Sequence, residues 1–412
     1  MKVPFLNLFF RGLAVAGRFL ILIGIGRFFS TEDFGIYGLF HSTVMLALYF
    51  IGFDFYTFNT REIIARAPTS RLSIIRDQFV FHMVSYVVIG PLLLLIFYQE
   101  IIPVSYLLWF YLILIMEHVS QELIRIFTAL KQSVFANFIT FFKSGIWVYA
   151  LWVVWLKGNN SIYQLDQVWL AWSLGLLLAV LLSAIYLSRL NLGSIRGIPV
   201  NWSWIWNGLK ISIPFFISTI AYKIIEFSNR YFIDYFNSKT EVGIFTFYFG
   251  IANLINIVVF TGVIMVLYPT MYEIYLKNEI ENFRKKVKQF TLLVIGSSLL
   301  MGLLLVLIIP LLLALIGKES MYISHLDTYY LLILANVILN ISLIPHYLMY
   351  IRKKDMQIMI VTLIGALANI VLNLVLIPRW GLYGAAWSAI ISFSVIFVLK
   401  YIFRGNTRNV SV

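Results

Sequence analysis

The sequence contains no cysteine and few charged residues. The absence of cysteine excludes disulfides, thiolate metal sites and a cysteine nucleophile. Charged residues make up 12% of the 412 positions, against roughly 25% in a typical soluble domain, so a soluble globular fold is excluded. Hydrophobic residues make up 61%, enough for about twelve spans of ~20 residues. Their runs are too long and continuous for the ~10-residue alternating strands of a transmembrane barrel. We therefore predict an all-α polytopic membrane protein.

Patterns typical of enzymes are also missing. No phosphate-binding loop is present. The histidines lie on different spans or loops without metal-ligand spacing: His41, His82, His118, His325 and His346. His118 clusters with Glu117 and Glu122, which we interpret as a helix-packing group. We therefore expect no catalytic residue, no metal and no cofactor. The net charge of +13 is expected to mark cytoplasmic loops and not a nucleic-acid partner.

Twelve apolar segments are predicted to span the membrane. The first six are residues 5–29, 35–58, 78–98, 104–130, 134–156 and 166–187. The second six are residues 207–236, 241–270, 289–316, 327–350, 356–377 and 382–403. This division predicts an N-terminal six-helix lobe (1–190), a cytoplasmic interlobe linker (191–206) and a C-terminal six-helix lobe (207–412).

The loops on the two sides of these spans differ in positive charge. Alternate loops and both termini together hold 20 lysines and arginines, and the other set of loops holds five. Because cytoplasmic loops carry the excess of lysine and arginine, both termini are predicted to be cytoplasmic. The five outer residues are Arg27, Lys157, Lys239, Lys318 and Arg379.

Two outer loops repeat one pattern. Residues 28–37 read FFSTEDFGIY, and residues 236–245, which lie 208 positions later, read FNSKTEVGIF. Each is predicted to lead into a helix through an acid, a hydrophobic residue and a glycine. Both follow an odd-numbered span, so the two halves are predicted to have the same orientation. Parallel halves around a central cavity are a transporter architecture.

Apart from the charged residues at span ends, which are counted with the loops, eleven charged residues are assigned to the predicted spans. Such residues usually face a partner or a wet cavity, because a central charge costs ~2.5–3.5 kcal/mol on insertion scales. The basic ones are Arg11, Arg18, Arg125, Lys143, Lys223 and Arg230, and the acidic ones are Asp54, Glu117, Glu122, Glu226 and Asp234. Spans one and seven, the first helices of the two halves, each carry a charged stripe on one helical face.

Two interpretations of these charges stay open. In one, they line a hydrated cavity whose cations bind an anionic substrate headgroup. In the other, they form ion pairs inside the membrane: Glu226 with Lys223 or Arg230, and Asp234 with Arg230. The cavity interpretation is favoured for Arg11 and Arg18, whose own helix has no acid, although Arg11 could instead snorkel to the interface. It is also favoured for Lys143.

Several segments carry a resemblance to a known family. They are the outer loop 28–37, the stretch 228–245 beginning SNRYFID, Tyr268-Pro269, and residues 376–386, LIPRWGLYGAA. With these segments the chain resembles the oligosaccharide flippase (polysaccharide transport) family of the multidrug/oligosaccharidyl-lipid/polysaccharide superfamily. One departure is Asn229, which stands where members often have an acid before the arginine. This departure weakens any proton-coupling role for that turn.

The resemblance implies a fold and a function. The fold would be a V-shaped pair of six-helix lobes with a central cationic cavity. The substrate would be an undecaprenyl-diphosphate-linked oligosaccharide repeat unit, flipped across the bacterial inner membrane by alternating access for O-antigen or capsule synthesis. Candidate substrate-binding residues are Arg11, Arg18, Lys143, Lys223 and Arg230. Candidate ion-pair or coupling residues are Glu117, Glu122, Arg125, Glu226 and Asp234. The implied partners are membrane lipids, a polysaccharide polymerase and a chain-length regulator.

Two rival functions are kept. A multidrug or cation antiporter of the same superfamily shares the fold, but its first span typically carries an acid, where this chain has Arg11 and Arg18. An integral-membrane polysaccharide polymerase or glycosyltransferase would be expected to have a large outer loop. Every predicted outer loop here is short.

Overall fold

The computed structural model describes residues 2–157 and 163–405. Helices make up 89% of the structure, and no strand occurs among the described residues. Two compact units divide the chain, Met1–Thr219 and Ile220–Val412, so the boundary falls inside one long helix. The lobe boundaries expected from the sequence stay a prediction. Arg408, one of the 20 residues counted on the cytoplasmic side, lies outside the described residues.

The first unit is built from the helices that precede Thr219. They are α1 Lys2–Phe28, α2 Thr31–Gly52, α3 Tyr56–Ala65, α4 Arg71–Ile89, α5 Leu94–Tyr98, α6 Leu107–Ala129, α7 Ser133–Phe141, α8 Trp147–Lys157, α9 Leu165–Ser188 and the first half of α10 Trp202–Phe236. Short 3₁₀ turns occur at Pro68–Ser70, Gly90–Leu93 and Val104–Tyr106. A π-helical turn, Phe142–Ile146, joins α7 to α8 into one span.

The second unit continues from α10. Its helices are α11 Lys239–Ala252, α12 Leu254–Val259, α13 Met265–Leu276, α14 Ile280–Ile316, α15 Glu319–Ile323, α16 Leu326–Ile351 and α17 Asp355–Phe403. A second π-helical turn, Phe260–Ile264, lies between α12 and α13. Both units are therefore entirely helical in the part of the chain that the structure describes.

The described chain has eleven helical segments long and apolar enough to cross a membrane. The last, α17, has 49 residues and would be about 70 Å long at 1.5 Å per residue, more than twice the thickness of a bilayer core. It is broken at Gly381, where φ is 53° and ψ is −131°. This conformation is not helical, so the segment divides into two spans there. The conformation is also essentially restricted to glycine. The predicted all-α fold with about twelve spans is confirmed.

Several helices begin or end a few residues away from the predicted boundaries, and the end of the second span shows a physical reason. The second span was expected to continue to residue 58, but α2 ends at Gly52. Phe53 and Asp54 follow with φ of 47° and 48°. Two consecutive left-handed residues cannot continue a right-handed helix, so the chain turns and begins α3 at Tyr56.

The repeated outer loops form the same helix cap in the two units. Ser30 precedes α2 and its side-chain oxygen accepts a hydrogen bond from the Asp33 backbone N–H at 3.0 Å. Ser238 precedes α11 and accepts from the Glu241 N–H at 3.2 Å. A serine cap with an acid three residues later satisfies free N–H groups of the first turn. The repeat therefore marks equivalent helix starts.

Candidate functional site

The charged residues of the first unit are placed by a close contact between α1 and the π-helical turn of the fifth span. A Cβ atom at Gly17 would lie 2.8 Å from the Gly145 Cα and 3.1 Å from the Ser144 carbonyl oxygen. Only glycine allows such an approach of two backbones. Arg18 follows Gly17, and Lys143 lies two residues before Gly145, so the contact brings both cations to one level of the unit. Each repels the other electrostatically.

Lys143 is buried and ion-paired with Glu117. Its Nζ lies 2.7 Å from Glu117 Oε1 and donates to the Glu117 backbone carbonyl at 3.2 Å. The Trp172 indole N–H donates to the other carboxylate oxygen at 3.3 Å. Lys143 and Glu117 thus neutralise each other at a site where both are 8% exposed or less. A role for Lys143 in substrate binding stays a prediction.

Arg18 and Arg11 lack a close acidic partner. Arg18 is exposed and Arg11 is partly exposed, and neither forms a hydrogen bond or ion pair with another described residue. Glu117 attracts Arg18 only at longer range, because its carboxylate is held by Lys143. The first span therefore carries two cations that the unit does not neutralise by direct contact.

A second polar cluster in the first unit centres on Glu122. Arg125 pairs with Glu122 Oε1, and the guanidinium carbon of Arg125 lies 3.5 Å from the centre of the Tyr56 ring. The Gln78 amide donates to Glu122 Oε2 at 2.6 Å. These contacts satisfy both carboxylate oxygens, so Glu122 and Arg125 act as an ion pair, one of the two roles expected from the sequence.

The structure adds His82 of α4 to this cluster. The His82 and His118 rings are 4.5 Å apart, and His82 Nε2 lies 3.9 Å from Glu122 Oε2. Sequence reasoning missed His82 because it lies 36 residues before His118, on another helix. The available signal was Gln78 and His82, which are four residues apart and hence on one face of α4.

In the second unit, the alternating charges of α10 form two ion pairs. Lys223 Nζ lies 2.6 Å from Glu226 Oε2, which is one of the pairings considered from the sequence. Asp234 pairs with Lys239 at 3.1 Å and not with Arg230. Lys239 was assigned to an outer loop, so the sequence could not indicate that it reaches back to α10.

Arg230 is buried among polar and aromatic groups. Its Nε donates to Thr246 Oγ1 at 3.1 Å and its Nη1 to the Glu226 carbonyl at 3.2 Å. The guanidinium carbon lies 4.9 Å from the centre of the Phe249 ring, within range for a cation–π interaction. No described acid lies within 4 Å of this guanidinium.

A neutral network surrounds Asn229. Asn373 donates to Asn229 Oδ1 at 2.8 Å and to Asn369 Oδ1 at 3.1 Å, and Ser228 donates to Asn369 at 2.8 Å. The amides therefore bond one another at the position where the resembled family often has an acid. This network was not predictable from the sequence, because its members lie on two helices far apart in the chain, α10 and α17.

Comparisons with known proteins agree with this architecture. A family model described as polysaccharide biosynthesis protein matches residues 11–275. The chain is similar in structure to an inward-facing multidrug resistance MATE family transporter of the MOP superfamily, with 12% identity, a TM-score of 0.73 and coverage of 98% of this chain and 96% of that one. It is also similar to a MATE protein in the bent conformation, with 12% identity, a TM-score of 0.63 and coverage of 98% of this chain and 93% of that one. For a Vibrio cholerae MATE transporter the identity is 14%, the TM-score is 0.55, and the coverage is 97% of this chain and 95% of that one.

These structural likenesses show the fold. A sequence comparison with curated proteins found no match. The family model covers more than half of the 412 residues. The chain therefore belongs to the polysaccharide biosynthesis protein family.

Proposed function

We propose that this transporter flips undecaprenyl-diphosphate-linked oligosaccharide repeat units from the inner to the outer leaflet by alternating access. The repeat units would serve O-antigen, capsule or other exopolysaccharide synthesis. The observation that carries the proposal is the pair of arginines on α1, which lack an ion pair with any described residue. Membership of a polysaccharide biosynthesis family supports the same substrate class.

The chemistry of a diphosphate fits these arginines. A guanidinium donates two parallel hydrogen bonds to phosphate oxygens, and it stays charged at every physiological pH. Arg11 and Arg18 are seven residues apart on one helical face, hence about 10 Å apart along the axis. That separation suits two successive positions of an anionic headgroup moving along α1, while the prenyl tail stays in lipid.

The other candidate residues divide into roles according to their contacts. Glu117 neutralises Lys143, and Glu122 neutralises Arg125. In the second unit, Glu226 neutralises Lys223 and Lys239 neutralises Asp234. We assign Arg11 and Arg18 to direct phosphate binding. Lys143, Lys223 and Arg230 would bind substrate only after exchanging their present partners.

The proposal includes the location and the partners. We place the chain in the bacterial inner membrane with both termini in the cytoplasm, as the 20-to-5 distribution of lysine and arginine indicates. Its partners would be the lipid-linked substrate, membrane lipids, a polysaccharide polymerase and a chain-length regulator.

The test is a reconstituted flipping assay. The purified full chain is placed in liposomes with a fluorescent prenyl-diphosphate oligosaccharide, and flipping is measured by accessibility to an impermeant quencher. We expect faster exchange than in protein-free liposomes, and competition by an unlabelled prenyl-diphosphate sugar but not by its neutral dephosphorylated form. Absence of exchange together with uptake of cationic drugs would instead support the antiporter.

A further inference from the structure

His82, His118 and Glu122 form a compact buried group between α4 and α6 that the proposed function does not use. One ligand atom from each residue can be chosen so that all three lie within 4.8 Å of one another. His82 Nε2 and His118 Nε2 lie 3.9 and 4.0 Å from the Glu122 carboxylate. Each of the three residues is 1% exposed.

The two imidazoles leave ring nitrogens without hydrogen bonds. In the described part of the chain, His118 Nε2 and His82 Nδ1 have no partner. A buried polar atom without a partner destabilises the fold, and most such atoms are satisfied by protein, water or an ion. His118 Nε2 is directed to within 4.0 Å of a carboxylate oxygen, which is the arrangement of two ligands around a shared cation.

The opposite nitrogen of His118 is already oriented. Tyr86 OH lies 2.7 Å from His118 Nδ1. A histidine that binds a metal through one nitrogen almost always has a hydrogen bond at the other, which fixes the ring. His118 therefore has a free nitrogen facing Glu122 and an outer partner that holds the ring in this orientation.

The charge of Glu122 does not depend on a metal. Arg125 pairs with it, and Arg125 is also attracted by Asp54 and packed on the Tyr56 ring. Because Arg125 has these other partners, Glu122 could share its negative charge with a cation. The competing group is Gln78, whose amide nitrogen lies 2.6 Å from Glu122 Oε2 and 3.3 Å from His82 Nε2.

We propose that His82, His118 and Glu122 bind a first-row divalent transition metal ion, with Zn²⁺ as the preferred ion. The bound ion joins α4 to α6. Two imidazoles and a carboxylate are ligands that Zn²⁺ prefers, at about 2.0–2.1 Å. Tetrahedral geometry at that distance puts ligand atoms about 3.4 Å apart. The three ligand atoms lie within 4.8 Å of one another, so they need to approach by up to about 1.4 Å, with the Gln78 amide turning aside. The metal is structural and independent of the flipping proposal.

The experiment measures metal binding by the full chain purified in detergent without a histidine tag. After chelator treatment and dialysis, it is titrated with Co²⁺ and Zn²⁺. We expect about one ion per chain, the visible absorption of Co²⁺ bound by these three ligands and one water molecule, and a higher thermal midpoint with Zn²⁺. His82→Gln and His118→Gln should lose the stoichiometric ion. Tyr86→Phe should bind it about 10–100-fold more weakly, because an outer-shell partner is lost.

The matched control is His346→Gln, since His346 is a partly buried histidine in the second unit whose ring lies beside those of Tyr347 and Tyr350. It should bind one ion as the wild type does. If the wild-type chain shows neither a Co²⁺ band nor a midpoint shift, the proposal is wrong, whatever the variants do. Equal binding by His118→Gln and the wild type would also overturn it.

Discussion

Lys143 and Glu117 are held in the interior of the first unit by more than their mutual attraction. The ammonium group also donates to a backbone carbonyl, and the carboxylate accepts from Trp172. A buried ion pair is stable only when such additional bonds satisfy its remaining atoms. Removing one partner leaves the other as an uncompensated charge.

Lys143→Met is therefore expected to destabilise the protein by about 3–5 kcal/mol. The second substitution Glu117→Gln should recover most of that loss, because it removes the unpaired charge. Thermal unfolding in detergent measures both effects. A flipping assay on the stable double variant then shows whether Lys143 also binds substrate: normal flipping would exclude it. A Lys143→Met protein as stable as the wild type would contradict the pairing.

Arg18→Ala is expected to abolish flipping while leaving the amount of protein in the membrane near normal. The physical reason is that Arg18 is exposed and has no ion pair with a described residue, so its loss leaves no buried acid unpaired. Arg18→Lys should keep part of the activity, because the charge survives and the bidentate geometry does not. Flipping and membrane protein amount are measured together.

The control for Arg18 is Arg27→Ala on the same helix. Arg27 is in the last turn of α1, with its guanidinium carbon 5.6 Å from the Phe28 ring centre, and its removal should leave flipping unchanged. Full activity of Arg18→Ala would remove α1 from the proposed substrate path. A loss of protein amount would instead indicate that Arg18 has a packing role.

The sequence identified the charged residues of the spans but few of their partners. Lys223 and Glu226 were predictable, since they are three residues apart on one helix. His82 and the pairing of Asp234 with Lys239 were not. Their contacts depend on how neighbouring helices are rotated and on where a loop folds back. Hydropathy indicates neither the rotation of a helix nor the path of a loop.

At the scale of the element, α1 is held by a backbone contact that permits no side chain. Gly17→Ala would place a methyl group 2.8 Å from the Gly145 Cα. Because both atoms belong to helix backbones, neither side can yield cheaply. We expect a loss of about 1–3 kcal/mol, measured as a lower thermal midpoint.

Gly12→Ala is the matched control for that prediction. Gly12 is on the same helix, and an added Cβ atom would meet nothing within 4 Å. Alanine should stabilise α1 there by up to about 1 kcal/mol through its higher helix propensity. Equal destabilisation by both substitutions would show that the Gly17–Gly145 contact has no special cost.

Helix identity was easier to predict than helix interruptions. Long apolar runs indicated each span, and Gly381 lies in the short gap that the sequence predicted between the last two spans. The end of α2 was missed because Phe53 and Asp54 adopt left-handed backbone angles without a glycine to indicate them. The two π-helical turns also have no sequence signature, because one extra residue in a turn does not change the hydropathy of a span.

At the scale of the whole molecule, the absence of cysteine allows a direct test of topology. A cysteine at Arg379 should react with an impermeant thiol reagent added outside intact cells. A cysteine at Lys285 should react only after permeabilisation. Both sites are exposed, so a difference in labelling reports the side of the membrane.

The unsubstituted chain should not react under either condition, which gives the background. External labelling at Lys285 would reverse the predicted orientation and place both termini outside. The span count was predictable at this scale because it depends on composition and on charge alternation. The repeat at a spacing of 208 residues was also predictable from the sequence. In the structure its serines, Ser30 and Ser238, cap equivalent helices in the two units.

The π-helical turns have a consequence for the evolution of chain length. A π-helical turn contains one more residue than the α-helical turn it replaces. Deleting one residue from Phe142–Ile146 or Phe260–Ile264 would therefore restore an α-helix and keep the flanking helices in phase. A deletion elsewhere in the same span would rotate everything beyond it by about 100°. Each π-helical turn is thus a position at which an ancestral helix could gain a single residue without repacking its ends.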